Sequence, residues 1–184
     1  MPELWERATR PAFLVAVRDG HLPADSFDTW LAEDNHFVGD LLWFQARLLA
    51  RAPRSAQPVL ATGAVALVDE LAWFGVLAAQ RSLHLDASPL PATLAYRQLL
   101  ERLDRAGPDD ALTALWVIER TYLEAWRFAA PGAEPFREVV EHWTTPGFAA
   151  YVDALAVACS TPAEAVVNEV LEHEIAFWEM AWSR

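Results

Sequence analysis

Residues 109–129 read DDALTALWVIERTYLEAWRFA, and the spacing within this stretch recurs through most of the chain. Its apolar side chains return every three to four residues, which is the period of one face of an α-helix. That face carries Leu115, Ile118, Glu119, Tyr122 and Trp126. Because a carboxylate within an apolar stripe is costly to bury, we expect Glu119 to be paired, protonated or functional.

The remainder of the chain shows the same periodicity, without the alternating β-branched runs that are typical of strands. Gly, Pro and capping residues divide it into seven predicted helices. Their predicted ranges are about 4–20, 25–50, 57–83, 92–106, 109–129, 135–159 and 161–184. The third is apolar nearly all round and is expected to lie centrally, and the sixth is expected to bend near residues 144–147. The sequence therefore predicts one all-α domain over residues 1–184, a compact bundle of about seven helices.

Charge and apolar content limit the partners that we expect. The chain has 14 basic and 26 acidic residues, a formal net charge of -12. Such a surface repels phosphate backbones and anionic lipids, so we expect neither nucleic-acid nor membrane binding. Hydrophobic residues make up 54% of the chain, which is more than a small domain readily hides and predicts a subunit interface, a lined pocket or both.

Residue usage also indicates compartment and chemistry. A single cysteine, Cys159, excludes an intrachain disulfide and fits a reducing compartment. The first residues lack the basic and apolar regions of a secretion signal, and no uncharged apolar run approaches ~18 residues. We therefore expect a cytoplasmic protein. All 14 basic residues are Arg, which excludes Schiff-base chemistry and cofactors that depend on lysine.

Two further acids lie on apolar helix faces, as Glu119 does. Asp34 shares its side of the second predicted helix with Phe37, and Glu174 shares its side of the last with Phe177. Any one of these acids could be a buried carboxylate held by Arg or Tyr. Three of them on separate helices of one small domain favour a shared pocket.

A metal site is the alternative that these acids raise. Carboxylate-bridged di-iron bundles use Glu-x-x-His pairs on two helices, and Glu33 and His36 have that spacing. The matching helix shows no second complete pair, so we expect no metal and no other cofactor, with a metal-dependent oxidase as a minor alternative. Cys159 lies in an Ala- and Val-rich run and is expected in the core.

These segments, with further motifs in the same order, resemble the TenA/thiaminase II family. The further motifs are GHLP at 20–23, ELAWF at 70–74, ATLAY at 92–96 and EIAFW at 174–178. The resemblance covers nearly the whole chain and implies a haem-oxygenase-like helical bundle that assembles as a homodimer or homotetramer. The family's histidine four residues after the Glu of the third helix is Phe74 here, which leaves Glu70 without that partner.

The resemblance also implies roles for individual residues around a pyrimidine. Asp34 matches the acid that binds the polar edge of the ring, and Phe37 falls where an aromatic side chain stacks on it. Tyr96 and Trp143 match aromatic residues of the family's pocket. We also predict that Tyr122, which lies on the same helix face as Glu119, binds the substrate. Glu174 matches the general acid/base that protonates the departing amine.

One position departs from the classical members, which carry a nucleophilic cysteine on the fifth helix. Counting forward from Tyr96 without gaps places Glu119 there, as in the branch of the family that has Glu instead of Cys. That branch implies thiamin salvage, a C–N hydrolase acting on aminomethyl- or formylaminomethyl-pyrimidines, with thiaminase activity weak or absent.

Crowding decides how two acids in one cavity would behave. Glu119 and Glu174 cannot both ionise easily if they face each other, so one pKa should rise. We favour Glu174 as acid and Glu119 as base. A helical binding protein that holds a small heterocycle without turnover remains the alternative function.

Overall fold

The computed structural model describes residues 2–159 and 161–182, and within these ranges the chain is helical and has no strand. The α-helices are α1 Pro2–Thr9, α2 Ala12–Asp19, α3 Ala24–Arg51, α4 Gln57–Gln80, α5 Pro91–Ala106, α6 Pro108–Ala129, α7 Arg137–Trp143, α8 Pro146–Cys159 and α9 Glu164–Trp182. A 3-10 turn, Glu134–Phe136, precedes α7. The all-α bundle predicted from the sequence is confirmed.

Two of the predicted helices are each divided in the structure. The single helix predicted over 4–20 is wrong, because Pro11 separates α1 from α2 with an extended backbone (φ -68°, ψ 157°). Proline cannot donate the hydrogen bond that a continuous helix needs. The predicted sixth helix is likewise interrupted at Thr144 and Thr145, where the bend was expected, and α8 begins at Pro146. The predicted end of the last helix, at 183–184, lies outside the described residues.

The central helix is α6, whose sequence shows the clearest apolar period. It packs against α1, α2, α3, α5, α7, α8 and α9. Because α6 is enclosed, nearly every turn of it is buried, including the turn that carries Glu119. The acid predicted to lie on an apolar face is therefore placed in the interior.

The prediction that the third helix lies centrally is wrong. That helix, α4, packs on α3 and on α8, and it leaves Val65, Val68 and Val76 between 53% and 63% exposed. An all-apolar helix is typical of a protein core, but the same composition suits a helix with one face in the protein and one face on a partner.

By length and composition alone, α4 could cross a membrane. Its most apolar window has a mean hydropathy of 1.6 and is 22% buried. Asp69 and Glu70 lie near the middle of this helix, where charged side chains are costly in a bilayer. The composition of α4 is therefore weak evidence for a membrane span.

Aromatic side chains fill the centre of the bundle. Trp126 on α6 packs against Trp30, Trp143 and Trp178, with ring centroids 5.4, 5.0 and 6.1 Å away. Large, close-packed rings resist displacement. Trp143 of this cluster also lines a cavity, and its neighbours hold it in place.

Candidate active site

A cavity of about 460 Å³ lies between α3, α4, α6 and the segment from α7 to α8. Its walls are mostly apolar, and its size is in the range of small-molecule sites. Five of the seven residues predicted for the site line it: Asp34, Phe37, Glu119, Tyr122 and Trp143. The other two, Tyr96 and Glu174, are buried outside the lining and are hydrogen-bonded to each other.

Asp34 is fixed by a tyrosine from the neighbouring helix. The Tyr122 hydroxyl on α6 donates a hydrogen bond to Oδ2 of Asp34 on α3. Asp34 is only 1% exposed, and this burial raises its pKa to about 7, although the bond from Tyr122 acts in the opposite direction. Both protonation states of Asp34 are thus accessible near neutral pH.

Glu119 and Glu174 form a second acidic group deeper in the bundle. The pKa of each is raised to about 8, mainly by burial, and the charge of Glu174 contributes to the rise for Glu119. The Tyr96 hydroxyl donates to Oε1 of Glu174 at 2.5 Å, which opposes the rise for Glu174. At neutral pH this pair holds protons that ordinary glutamates would have lost. Only Glu119 of the two lines the cavity.

The aromatic residues of the cavity offer flat surfaces to a ring. Phe37 contacts Tyr96 with ring centroids 4.6 Å apart. Tyr122 and Trp143 meet edge to face at 5.4 Å. Offset and edge-on contacts of this kind suit a planar heterocycle. The acids and the rings of the lining have the chemistry that suits a planar, hydrogen-bonding ligand.

The model of the TENA/THI-4/PQQC family matches residues 1–184. The chain belongs to this family. A relative from Glycine max, whose name includes "bifunctional TENA-E protein", is 32% identical over 97% of this chain and 88% of its own length.

Solved structures of TenA homologues share the fold. A TenA homologue from Pyrococcus furiosus is 26% identical, with a TM-score of 0.90 over 98% of this chain and 95% of that chain. A TenA family transcription regulator from Silicibacter is 18% identical, with a TM-score of 0.89 over 98% and 92%. The second likeness concerns the fold alone.

Glu70 is a further acid in this cavity, and it is not among the site residues predicted from the sequence. It lies on α4, lines the cavity, and its Oε1 accepts a hydrogen bond from Trp143 Nε1 at 2.9 Å. Burial raises its pKa well above the usual range, and the charges of Asp34 and Glu119 raise it further. The signal available in the sequence was the motif ELAWF at 70–74, which begins with Glu70.

Glu33 and His36, the Glu-x-x-His pair of the metal alternative, do not line the cavity. Glu33 accepts hydrogen bonds from the Thr93 hydroxyl at 2.5 Å and from the Leu90 backbone N–H at 3.0 Å, so it stabilises the N-terminal end of α5. A ring nitrogen of His36 lies 2.8 Å from the Ala87 carbonyl oxygen. Within residues 2–159 and 161–182, no three His, Cys, Asp or Glu side chains are grouped to hold a metal ion.

The single cysteine of the chain is remote from the site. Cys159 is buried at the end of α8, with Sγ 3.7 Å from the Thr113 hydroxyl oxygen. Burial raises the pKa of its thiol, whereas a nucleophilic cysteine needs a lowered pKa. Its predicted place in the core agrees with this position.

Gly63 on α4 gives a first testable prediction, because a Cβ there would collide with the Tyr151 hydroxyl and with Gln45 Nε2. Gln45 Nε2 donates to the Leu60 carbonyl at 2.7 Å. Gly63→Ala should lower the free energy of unfolding by roughly 1–3 kcal/mol through overpacking, as measured by urea denaturation. Gly39→Ala on α3 is the control, since nothing lies near its added Cβ. Equal stability of both variants would contradict the prediction.

Proposed function

We propose that this TenA family member hydrolyses the C–N bond of an aminomethyl- or formylaminomethyl-pyrimidine, as a salvage enzyme for thiamin breakdown products. The observation that carries the proposal is an aromatic cavity lined by two buried acids, Asp34 of α3 and Glu119 of α6, with the buried Glu174 of α9 close enough to raise the pKa of Glu119. Buried, proton-holding carboxyl groups in a ligand-sized cavity are typical of acid/base catalysis.

Asp34 is suited to orient the ring. An aminopyrimidine presents an amino donor beside a ring nitrogen, and a carboxyl group can meet this edge with two hydrogen bonds. The bond from Tyr122 uses one oxygen, Oδ2, and a carboxylate has about four acceptor positions. Phe37 and Trp143 line the cavity beside Asp34 and would contact the faces and edges of the ring.

Glu119 and Glu174 would supply the base and the acid. In our proposal Glu119, which faces the cavity, takes a proton from water as the water oxygen bonds to the methylene carbon. Glu174 first supplies the proton that converts the amine into an ammonium group. As the C–N bond breaks, its electron pair passes to nitrogen and ammonia leaves. The raised pKa of both groups supports a shared proton near neutral pH.

The identity of residue 119 sets the expected limits of the activity. Glu119 lines the cavity and Cys159 lies outside it, and in our proposal Glu119 takes the place of the thiolate of the classical family pattern. A carboxylate is a weaker nucleophile than a thiolate, so we expect intact thiamin to be cleaved weakly or not at all. The name of the Glycine max relative, which includes "bifunctional TENA-E", supports a TenA-type activity.

The decisive test is release of ammonia. Purified protein is incubated with an aminopyrimidine that carries an aminomethyl group, and ammonia and the hydroxymethyl product are quantified together. We expect the two products in equal amounts. Tight binding without release would instead favour the non-catalytic binding protein.

We also propose that the protein acts in the cytoplasm as a homo-oligomer. A line of apolar residues on α4 is exposed and spaced alternately by four and three: Ala61, Val65, Val68, Ala72, Gly75 and Ala79. This is the spacing of a helix–helix seam, and an uncharged seam can pair with a second copy of itself. The helix has two acids and no base, so an anionic lipid surface is the less suitable partner.

This assembly gives a second prediction. Val65→Asp should shift the protein toward monomer, because each copy would bring a charge into the apolar seam. Light scattering after size exclusion measures the mass. Val157→Asp is the matched control, since Val157 is 81% exposed on α8 and lies off the seam. A monomeric native protein at working concentrations would contradict the proposal.

A further inference from the structure

We infer that Glu70, held by the indole N–H of Trp143, binds the ammonium group of the substrate and thereby selects a charged aminomethyl over a neutral formylaminomethyl substituent. The inference rests on the proposed function and adds a specificity residue to it. It begins from the position of Glu70, which lines the cavity together with Asp34 and Glu119.

The register of α4 places Glu70 on the wall of the cavity. Gly63, Ala66, Leu67 and Glu70 all line it, and their spacing of three, four and seven residues defines one helix face. The adjacent Asp69 also reaches the lining but is exposed, so water screens its charge. Glu70 is therefore the acid of α4 whose carboxyl group is shielded from water in the cavity wall.

One carboxyl oxygen of Glu70 already accepts a hydrogen bond within the protein. Trp143 Nε1 donates to Oε1 at 2.9 Å, and Trp143 is itself fixed against Trp126 at a centroid distance of 5.0 Å. This contact orients the carboxyl group, and the hydrogen bond does not use Oε2. A preoriented carboxylate oxygen is a strong acceptor for an ammonium group.

The acidic lining around Glu70 favours a cationic ligand. Asp34, Glu70 and Glu119 are acids of the lining, and among the described lining residues His142 is the only basic side chain. Burial lowers the pKa of His142, which disfavours its charged form. An ammonium group bound here would stabilise the ionised form of these acids, whereas a neutral formamide would not.

Asp34, Glu119 and Glu70 each interact with different residues of the site. Asp34 accepts a hydrogen bond from Tyr122, and Glu119 interacts electrostatically with Glu174. Glu70 feels the charges of both Asp34 and Glu119, so it lies within electrostatic reach of a ligand held between them. The substituent on a ring bound by Asp34 would thus meet Glu70 and Glu119 together.

The test compares charged and neutral ligands on Glu70→Gln. We expect KM for the aminomethyl substrate to rise about 10-fold or more, since charge-assisted hydrogen bonds contribute on the order of 1.5–3 kcal/mol. The KM for the formylaminomethyl substrate and the calorimetric Kd for the hydroxymethyl product should change by less than about 2-fold, because neither ligand carries an ammonium charge. Glu70→Asp, which keeps the charge, should recover part of the preference.

The control is Glu141→Gln, which removes one exposed carboxylate of α7 and should leave both KM values unchanged. Equal changes for charged and neutral ligands would show a structural role and overturn the inference, as would no change for either. Calorimetric binding of the amine separates the two proposals. If no ammonia is released but Glu70→Gln selectively weakens amine binding, the hydrolase fails while the binding role of Glu70 stands.

Discussion

Glu119→Gln is expected to lower turnover of the aminomethylpyrimidine by about 100-fold or more with the fold intact. The amide keeps the shape of the side chain but cannot accept a proton from water. Glu119 lines the cavity, is 7% exposed, and its pKa is raised to about 8 by burial and by Glu174. The loss is measured as kcat at saturating substrate, and circular dichroism checks that the fold is intact.

Glu174→Gln is expected to cause a loss of similar size, because an amide cannot supply the proton to the amine. The exposed Glu172 offers a matched control on the same helix, and Glu172→Gln should retain full turnover. Full activity in both Glu119→Gln and Glu174→Gln would defeat the acid/base mechanism. A loss in Glu119→Gln alone would leave one carboxyl group as both acid and base.

Helical type was readable from the sequence because apolar periodicity records which face of each helix is buried. That signal placed Glu119 on the enclosed face of α6, as the structure does. The same signal failed at Pro11, where an apolar period continues across a residue that cannot continue a helix. Local backbone chemistry overrides periodicity at such a point.

The position of α4 could not be read in this way. An all-apolar helix has no polar face to mark the solvent side, so the sequence does not distinguish a central helix from one with an unpartnered apolar face. For the same reason Glu70 had no visible orientation. Its place on the cavity wall depends on how α4 packs on α3.

The sequence also did not predict how deeply each acidic side chain lies relative to the cavity. Asp34 and Glu174 both lie on apolar faces, but Asp34 reaches the cavity whereas Glu174 is behind it with Tyr96. Depth depends on the rotation of each helix relative to its neighbours, which packing decides. The roles assigned to these residues stay predictions that the variants above test.

Raising the pH from about 5 to about 9 is expected to lower the free energy of unfolding by on the order of 5 kcal/mol. The pKa of Glu119 and of Glu174 is about 8 in the folded chain against the usual 4.5, and that of Asp34 is about 7 against 3.8. A raised pKa means that the folded state binds protons more tightly than the unfolded state. Its stabilising effect is complete below the unfolded pKa and is lost as pH rises through the folded pKa.

Urea denaturation at intervals across this range measures the effect, and Glu119→Gln isolates its source. The amide carries no charge at any of these pH values, so this variant should lose less stability than the native chain and should be the more stable protein near pH 9. Glu172→Gln removes one exposed carboxylate instead and should follow the native curve, which controls for the net charge of -12. A native curve that is flat or rising from about pH 5 to about pH 9 would contradict the buried, proton-holding acids. A site that is most stable with its acids protonated, yet needs one of them ionised as a base, sacrifices stability for function.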